Sequence, residues 1–143
     1  MHSTPTPAEV ARIEEMGPHF TKVHLPGSQV LHRFTEPDAG APHDHPWGFT
    51  SHVLSGGYIE DVYTLRPDGI ATVERKERRP GTSHQVEAGT VHRIVGLLAG
   101  ECWTLVEPGP LEQQSGFYHF DGAGIWHRYW HEAEFRLRTA KIS

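Results

Sequence analysis

Short runs of residues with high β propensity, separated by turns rich in glycine and proline, fill the chain from His19 onward. Glycine supplies the positive φ that tight turns require, and proline presets the turn corner, as at 26–27, 55–57 and 80–81. Short strands at this spacing predict an antiparallel sandwich or barrel, and therefore an all-β fold. The predicted strands are 20–25, 29–34, 48–54, 58–65, 70–78, 83–86, 91–97, 102–107 and 117–120.

The two ends of the chain follow other patterns. At the N-terminus, Thr6 is a predicted helix cap, Pro7 occupies the first helical position and Glu9 completes a capping box. Apolar residues then recur at helical spacing up to Met16, and the Gly-Pro pair at 17–18 ends the predicted helix. The aromatic-rich stretch 125–138 has a mixed period, which fits either a helix or a closing flap.

Length and composition limit the domain organisation and the partners that this chain can have. A chain of 143 residues suits one domain, and we expect an N-terminal helix and arm at 1–18 followed by a single β-barrel domain at 19–143. The formal charge of −5 argues against a nucleic-acid partner. No apolar run approaches the ~20 residues that cross a bilayer, so no membrane partner is expected. The single Cys102 excludes an internal disulfide, which favours a cytoplasmic protein.

Three of the 12 histidines have a spacing that predicts a metal site. His43 and His45 are separated by one residue, so on an extended strand their side chains point to the same face. His92, on a distant predicted strand, would complete a facial set of three ligands and leave other coordination positions open for substrate. Asp44 points to the opposite face and is expected to be a structural hydrogen-bond partner.

These residues resemble the two motifs of the cupin superfamily. The second motif is matched at Gly81, Gly89 and His92, with Glu87 where proline is usual. In the first motif the His-x-His pair is present, and the glycines at 56–57 also fit. The resemblance covers roughly residues 28 to 108 and implies a double-stranded β-helix (jelly roll), here preceded by the short N-terminal helix.

The first motif departs from the family at one position. Its glutamate, the common fourth ligand, would fall at Phe49 or Thr50, and neither is a carboxylate. Three histidines without this glutamate resemble the cysteine dioxygenase branch, which implies one divalent metal with Fe(II) favoured. Imidazole also binds Zn, Ni, Mn or Cu, so the ligands alone do not select the metal.

Three further residues are candidate catalytic groups. If the missing glutamate aligns with Thr50, His52 faces the cavity as a fourth ligand or a proton donor; in the other alignment it is a packed strand histidine. Tyr58 is a candidate proton donor to substrate, with Tyr63 as an alternative that the sequence does not exclude. Arg33 precedes the His-x-His segment, where the cysteine dioxygenase family has a carboxylate-binding arginine; the alternative is an exposed arginine in an ion pair.

The resemblance implies a non-haem Fe(II) dioxygenase that acts on a small organic substrate. A non-oxidative lyase, isomerase or hydrolase is the second hypothesis, and a non-catalytic metal- or ligand-binding module is the third, since fold does not determine function. A small-molecule partner is expected in each case. We also expect a homodimer, because sheet edges need covering and the aromatic C-terminal stretch offers an apolar surface.

Overall fold

The computed structural model describes residues 12–142, which form strands and connecting turns with no helix among them. The strands are β1 (Arg12–Gly17), β2 (Phe20–His24), β3 (Val30–Phe34), β4 (Trp47–Ser55), β5 (Tyr58–Leu65), β6 (Ala71–Arg78), β7 (Ser83–Val86), β8 (Val91–Leu97), β9 (Cys102–Leu111), β10 (Gly116–Asp121), β11 (Gly124–Tyr129) and β12 (Arg136–Ala140). The predicted strands 58–65, 83–86 and 91–97 match their observed bounds. No helix in this part of the chain is long and apolar enough to cross a membrane.

Three antiparallel sheets build the domain. A six-stranded sheet has the order β1-β2-β3-β9-β4-β7, and two three-stranded sheets have the orders β6-β5-β8 and β10-β11-β12. This arrangement confirms the all-β jelly roll. One apolar cluster joins the six-stranded sheet to β5 and β8, and includes Phe34, Val53, Tyr58 and Ile94. A second cluster, around Val91, packs β8 against β10 and β11.

The turn between β4 and β5 requires glycine. Gly56 and Gly57 have φ values of 79° and 87°, in the left-handed region that favours glycine. A Cβ atom on Gly56 would also overlap the backbone carbonyl of Glu101. Glycine here therefore lets the turn pass close to the start of β9 and places the start of β5 at the cavity described below.

The predicted helix is wrong over Arg12–Gly17, which is a strand paired with β2. Ile13 and Met16 are 63% and 52% exposed, so their helical spacing does not mark a buried helix face. Pairing with β2 satisfies the backbone groups on the side of the segment that faces β2. The start of the predicted helix, at 6–11, lies outside the described residues.

The C-terminal stretch is neither a helix nor an irregular flap. It contributes β11, which pairs with β10, and β12, which pairs with β11. The register shifts between Ile125 and Trp126, where the ladder is irregular. Such an irregularity changes which residues share a face, and this explains the mixed period of the sequence.

Candidate metal centre

Backbone pairing brings the three histidines together. His43 and His45 lie in the segment between β3 and β4, and His92 lies in β8. The amide of His43 donates to the carbonyl of His92, and the amide of His92 donates back, both at 3.0 Å. Ring nitrogens of His43, His45 and His92 lie within 4.8 Å of one another, a spacing that fits three ligands of one metal ion.

Two of the rings are oriented by hydrogen bonds from Nδ1. His92 Nδ1 donates to Glu60 Oε1 at 2.7 Å, and His43 Nδ1 lies 3.4 Å from the carbonyl oxygen of Ala41. Because an ionised carboxylate and a carbonyl only accept, these partners place the ring proton on Nδ1 and leave the Nε2 lone pair free. Metal-bound histidines use this arrangement in many proteins.

The hydrogen bonding and burial of the His45 ring show whether a metal ion fits this site. Its Nε2 atom lies 3.4 Å from Nε2 of His92, and its buried Nδ1 atom has no hydrogen-bond partner among the described residues. Burial, followed by the neighbouring rings of His92 and His43, lowers the pKa of His45 to about 2. Burial is also the largest cause of the lowered pKa of His43. Neutral imidazoles with converging lone pairs fit a divalent cation well.

Glu60 is a site residue that the sequence interpretation missed. Its side chain is 2% exposed, and its Oε2 atom accepts a 2.7 Å hydrogen bond from Nε of Arg78. Burial, the largest influence, raises the pKa of Glu60, but hydrogen bonds from His92 and Arg78 outweigh it and lower the pKa to about 2. The alternation of Tyr58, Glu60 and Val62 in β5 was the available signal, because it puts a carboxylate on a face that starts with a buried tyrosine.

Asp44 has the structural role expected of it. Its carboxylate accepts hydrogen bonds from the amide of Gly116 at 2.7 Å and from the hydroxyl of Tyr118 at 2.8 Å. Asp44 is buried, and both partners belong to β10. It therefore holds the His-x-His segment on the C-terminal sheet while its neighbours face the cavity.

A cavity of about 220 Å³ opens beside the three histidines. Most of its wall is apolar or aromatic. Phe49 occupies one of the two candidate positions of the missing glutamate, and its ring contacts that of His45 edge to face with the centroids 4.8 Å apart. The cavity is lined by Phe20, Lys22, His32, Phe34, Asp38, His43, His45, Trp47, Phe49, Ser51, Tyr58, Val86, His92, Ile94, Thr104 and Val106.

Because Phe49 faces inward, His52 faces outward and does not join the site. Its Nδ1 atom lies 2.6 Å from Ser83 Oγ, and its Nε2 atom is hydrogen-bonded to Glu107. The alignment that placed His52 in the cavity is therefore wrong, and the packed strand histidine is the arrangement observed. The strand register decides between the two, since neighbouring side chains point to opposite faces.

Tyr58 lies in the cavity and Arg33 does not. The hydroxyl of Tyr58 is 3.3 Å from Nε2 of His84, and burial, with the charge of Glu60 next, raises the pKa of the tyrosine. Arg33 forms an ion pair with Glu101, and its side chain is 42% exposed. Its neighbours in β3 face the cavity, so alternation turns Arg33 outward and it does not reach the three histidines.

Comparisons with known proteins identify the fold. No protein-family model matches the sequence, and no curated protein matches it. Among solved structures, the hydroxypropylphosphonic acid epoxidase of S. wedmorenis matches with 14% identity and a TM-score of 0.54, covering 73% of this chain and 58% of the epoxidase. Recombinant oxalate oxidase in complex with glycolate matches with 16% identity and a TM-score of 0.55, covering 76% and 61%.

A third match is CENP-C of Drosophila melanogaster bound to CAL1, with 10% identity, a TM-score of 0.57 and coverage of 74% of this chain and 85% of that one. The fold is the cupin jelly roll. This chain spans less than two thirds of the length of the epoxidase and of the oxidase. At these identities the similarity shows the fold alone, so the function has to be inferred from the site.

Proposed function

We propose that this protein binds one divalent metal ion through His43, His45 and His92, and that with Fe(II) it is a dioxygenase of a small organic substrate. The observation that supports this proposal is the convergence of three imidazole rings on an apolar, aromatic cavity. Phe49 stands at one of the two positions where the cupin motif would place a fourth, anionic ligand. Three ligands on one side leave several coordination positions open.

Bound at this site, Fe(II) would supply coordination positions for substrate and O₂ together with redox chemistry, whereas a zinc ion would supply only Lewis acidity. The chain itself supplies the surroundings. Phe49 and Trp47 exclude water from the ligand rings, which protects a reactive centre from side reactions. Glu60 holds the ring of His92 in one orientation and keeps its proton on Nδ1.

Tyr58 is the proton donor in this proposal. Its raised pKa keeps the hydroxyl protonated at neutral pH, so it can donate a hydrogen bond or a proton but is a poor base. His84 contacts the same hydroxyl at 3.3 Å and stands between Tyr58 and Glu60. The same pair also supports a second candidate function, a non-oxidative lyase, isomerase or hydrolase in which Tyr58 protonates the product.

Metal-dependent redox assays separate these functions. Iron-loaded protein, kept anaerobic, is expected to bind nitric oxide as a surrogate for O₂, and substrate is expected to strengthen the signal. It should consume O₂ only when substrate is present, and the zinc form should be inactive because zinc has no accessible redox state. Full anaerobic turnover by the zinc form would exclude the dioxygenase and favour the non-oxidative class. Ligand binding without conversion in either form would favour a non-catalytic module.

We also propose a homodimer. Leu111 and Trp130 line the same surface cavity and are 78% and 62% exposed, which is a large exposure for apolar side chains. Light scattering in the micromolar range is expected to give twice the monomer mass, and Trp130→Glu is expected to lower it. A monomeric mass for the unmodified protein at all concentrations would exclude a stable dimer.

A further inference from the structure

Lys22 places a positively charged side chain in the wall of the cavity. It lies in β2, directly across from His32 in β3, while Phe20 lies across from Phe34. All four side chains line the cavity, so this face of the two strands looks toward the metal ligands. Among residues 12–142, Lys22 is the one lysine or arginine in that lining.

We propose that the substrate is a small organic anion, such as a carboxylate, whose charged group binds Lys22 Nζ beside the ring of His32 while its apolar body packs against Phe20 and Phe34. This inference rests on the proposed function, since it assigns a substrate class to the same site.

The carboxylate nearest to Lys22 in the sheet is committed to other partners. Glu14 of β1 lies across from Lys22, but its Oε1 atom accepts a 2.9 Å hydrogen bond from Nε2 of His24 and lies 3.7 Å from Arg12. None of the ion pairs formed by residues 12–142 includes Lys22. The ammonium lies 5.8 Å from the centroid of the Phe20 ring, a cation–π distance that places it over the aromatic wall.

His32 is suited to accompany an anion-binding lysine. Its ring packs edge to face against Phe20 and Phe34, with centroid distances of 5.1 and 6.0 Å. Burial, followed by the charge of Lys22, lowers the pKa of His32 to about 3. A neutral imidazole beside an ammonium donates or accepts one hydrogen bond without adding a second full charge.

The charges around the cavity favour an anion. Asp38 also lines the cavity, but its Oδ2 atom accepts a 2.8 Å hydrogen bond from the amide of Ile94. One divalent ion and Lys22 together outweigh this single carboxylate, so the cavity has a positive field when the metal is bound. The volume of about 220 Å³ is below the roughly 300 Å³ at which drug-sized pockets begin, which restricts the anion to a small one.

Paired acid and amide probes test this inference on the zinc-loaded protein, which allows binding without oxidation. Calorimetry would compare phenylacetate with phenylacetamide and butanoate with butanamide. We expect the unmodified protein to prefer the acids at least tenfold. Lys22→Met is expected to weaken binding of the acids by about tenfold or more and of the amides by less than twofold. Lys22→Arg is expected to keep most of the preference, since the charge remains.

Lys76→Met is the matched control, because Lys76 is also a partly exposed strand lysine but lies in β6 beside Glu74. It is expected to leave every affinity unchanged. Equal binding of acids and amides by the unmodified protein, or an acid preference that survives Lys22→Met, would overturn the inference. Neither result bears on the nitric oxide and O₂ assays of the iron form. Conversely, a Lys22-dependent acid preference in a protein that never consumes O₂ would retain the substrate class and reject the dioxygenase.

Discussion

His45 and His52 belong to the same stretch of chain but have opposite environments. His45 is enclosed by aromatic rings, has no carboxylate partner among the described residues and has a pKa lowered to about 2. His52, on the outer face of β4, lies between Ser83 and the carboxylate of Glu107. Burial without a compensating charge keeps an imidazole neutral and free to bind a metal, whereas a surface carboxylate gives it an ordinary structural role.

The largest expected effect is on metal binding. Replacing His45 or His92 with alanine is expected to lower metal affinity by more than about 100-fold, because loss of a ligand exceeds the effect of losing a ligand's hydrogen-bond partner. His52→Ala is expected to retain a full metal equivalent. Elemental analysis after dialysis measures both. A full metal equivalent in His92→Ala would remove that residue from the ligand set and undo the three-histidine site.

The two carboxylates that accept hydrogen bonds from histidines, Glu60 from His92 and Glu107 from His52, provide the next comparison. Glu60→Gln is expected to weaken metal binding by about 10- to 100-fold, because the ring of His92 loses its charged hydrogen-bond acceptor. Glu107→Gln makes the same change beneath His52 and is expected to have no effect on affinity. Competition with a chelator measures both, and circular dichroism checks that the variants are folded. Equal affinities of the two variants would show that Glu60 does not tune the ligand.

The pH dependence of stability tests whether the buried histidines His45 and His32 are neutral in the folded protein. His45 and His32 have folded-state pKa values of about 2 and about 3, below the unfolded value of 6.5. The unfolded chain therefore binds more protons as the pH falls below about 6.5, and stability decreases in that direction. Each of these two histidines is expected to lower the free energy of unfolding by about 1.4 kcal/mol between pH 7.5 and pH 5.5.

Urea unfolding of the metal-free protein at several pH values measures this loss. The variant His32→Gln is expected to reduce the loss. Saturating metal should shift the loss to lower pH, because the ion binds the folded state and competes with protons for the imidazoles. A free energy of unfolding that stays constant from pH 7.5 to pH 5.5 would mean that the pKa values of His45 and His32 are not lowered by folding.

The smallest expected effect is on the outer face. Removing the partly exposed contact between His52 and Glu107 by His52→Gln is expected to leave the urea midpoint at pH 7 nearly unchanged, because solvent screens such a pair. Urea unfolding measures the midpoint. A large decrease in the midpoint would mean that this contact is far stronger than its exposure indicates.

The three-histidine cluster was predictable because the spacing of its members along the strands places them on one face. His43 and His45 share a face by alternation, and the glycines before His92 mark its turn and strand. The contact of Glu60 with His92 was not predictable, because it depends on the register of β5 against β8. In that register Glu60 lies across from Ile94, and Val62 lies across from His92. Such diagonal neighbours become visible only when the strands are paired.

Register also explains the other differences. Sequence left open whether Phe49 or the face containing His52 points inward, and pairing of β4 with β7 and β9 decides it. The helical spacing of Ile13 and Met16 was misleading because both residues are largely exposed in a strand. Lys22 was not predicted to line the cavity, since a lysine in a strand is ordinarily a surface residue.

The contacts of the His-x-His segment have a consequence for the motion of the whole domain. The amide of Asp44 donates to the carbonyl of Gly116, and the amide of Tyr118 donates to the carbonyl of Pro42, at 3.1 and 2.9 Å. The His-x-His segment thus joins the C-terminal sheet to β8. With the proposed ion bound, local opening of β10 is expected to displace His43 and His45, so that the ion opposes the opening. Metal is therefore expected to slow amide hydrogen exchange in β10, at positions that never touch the ion.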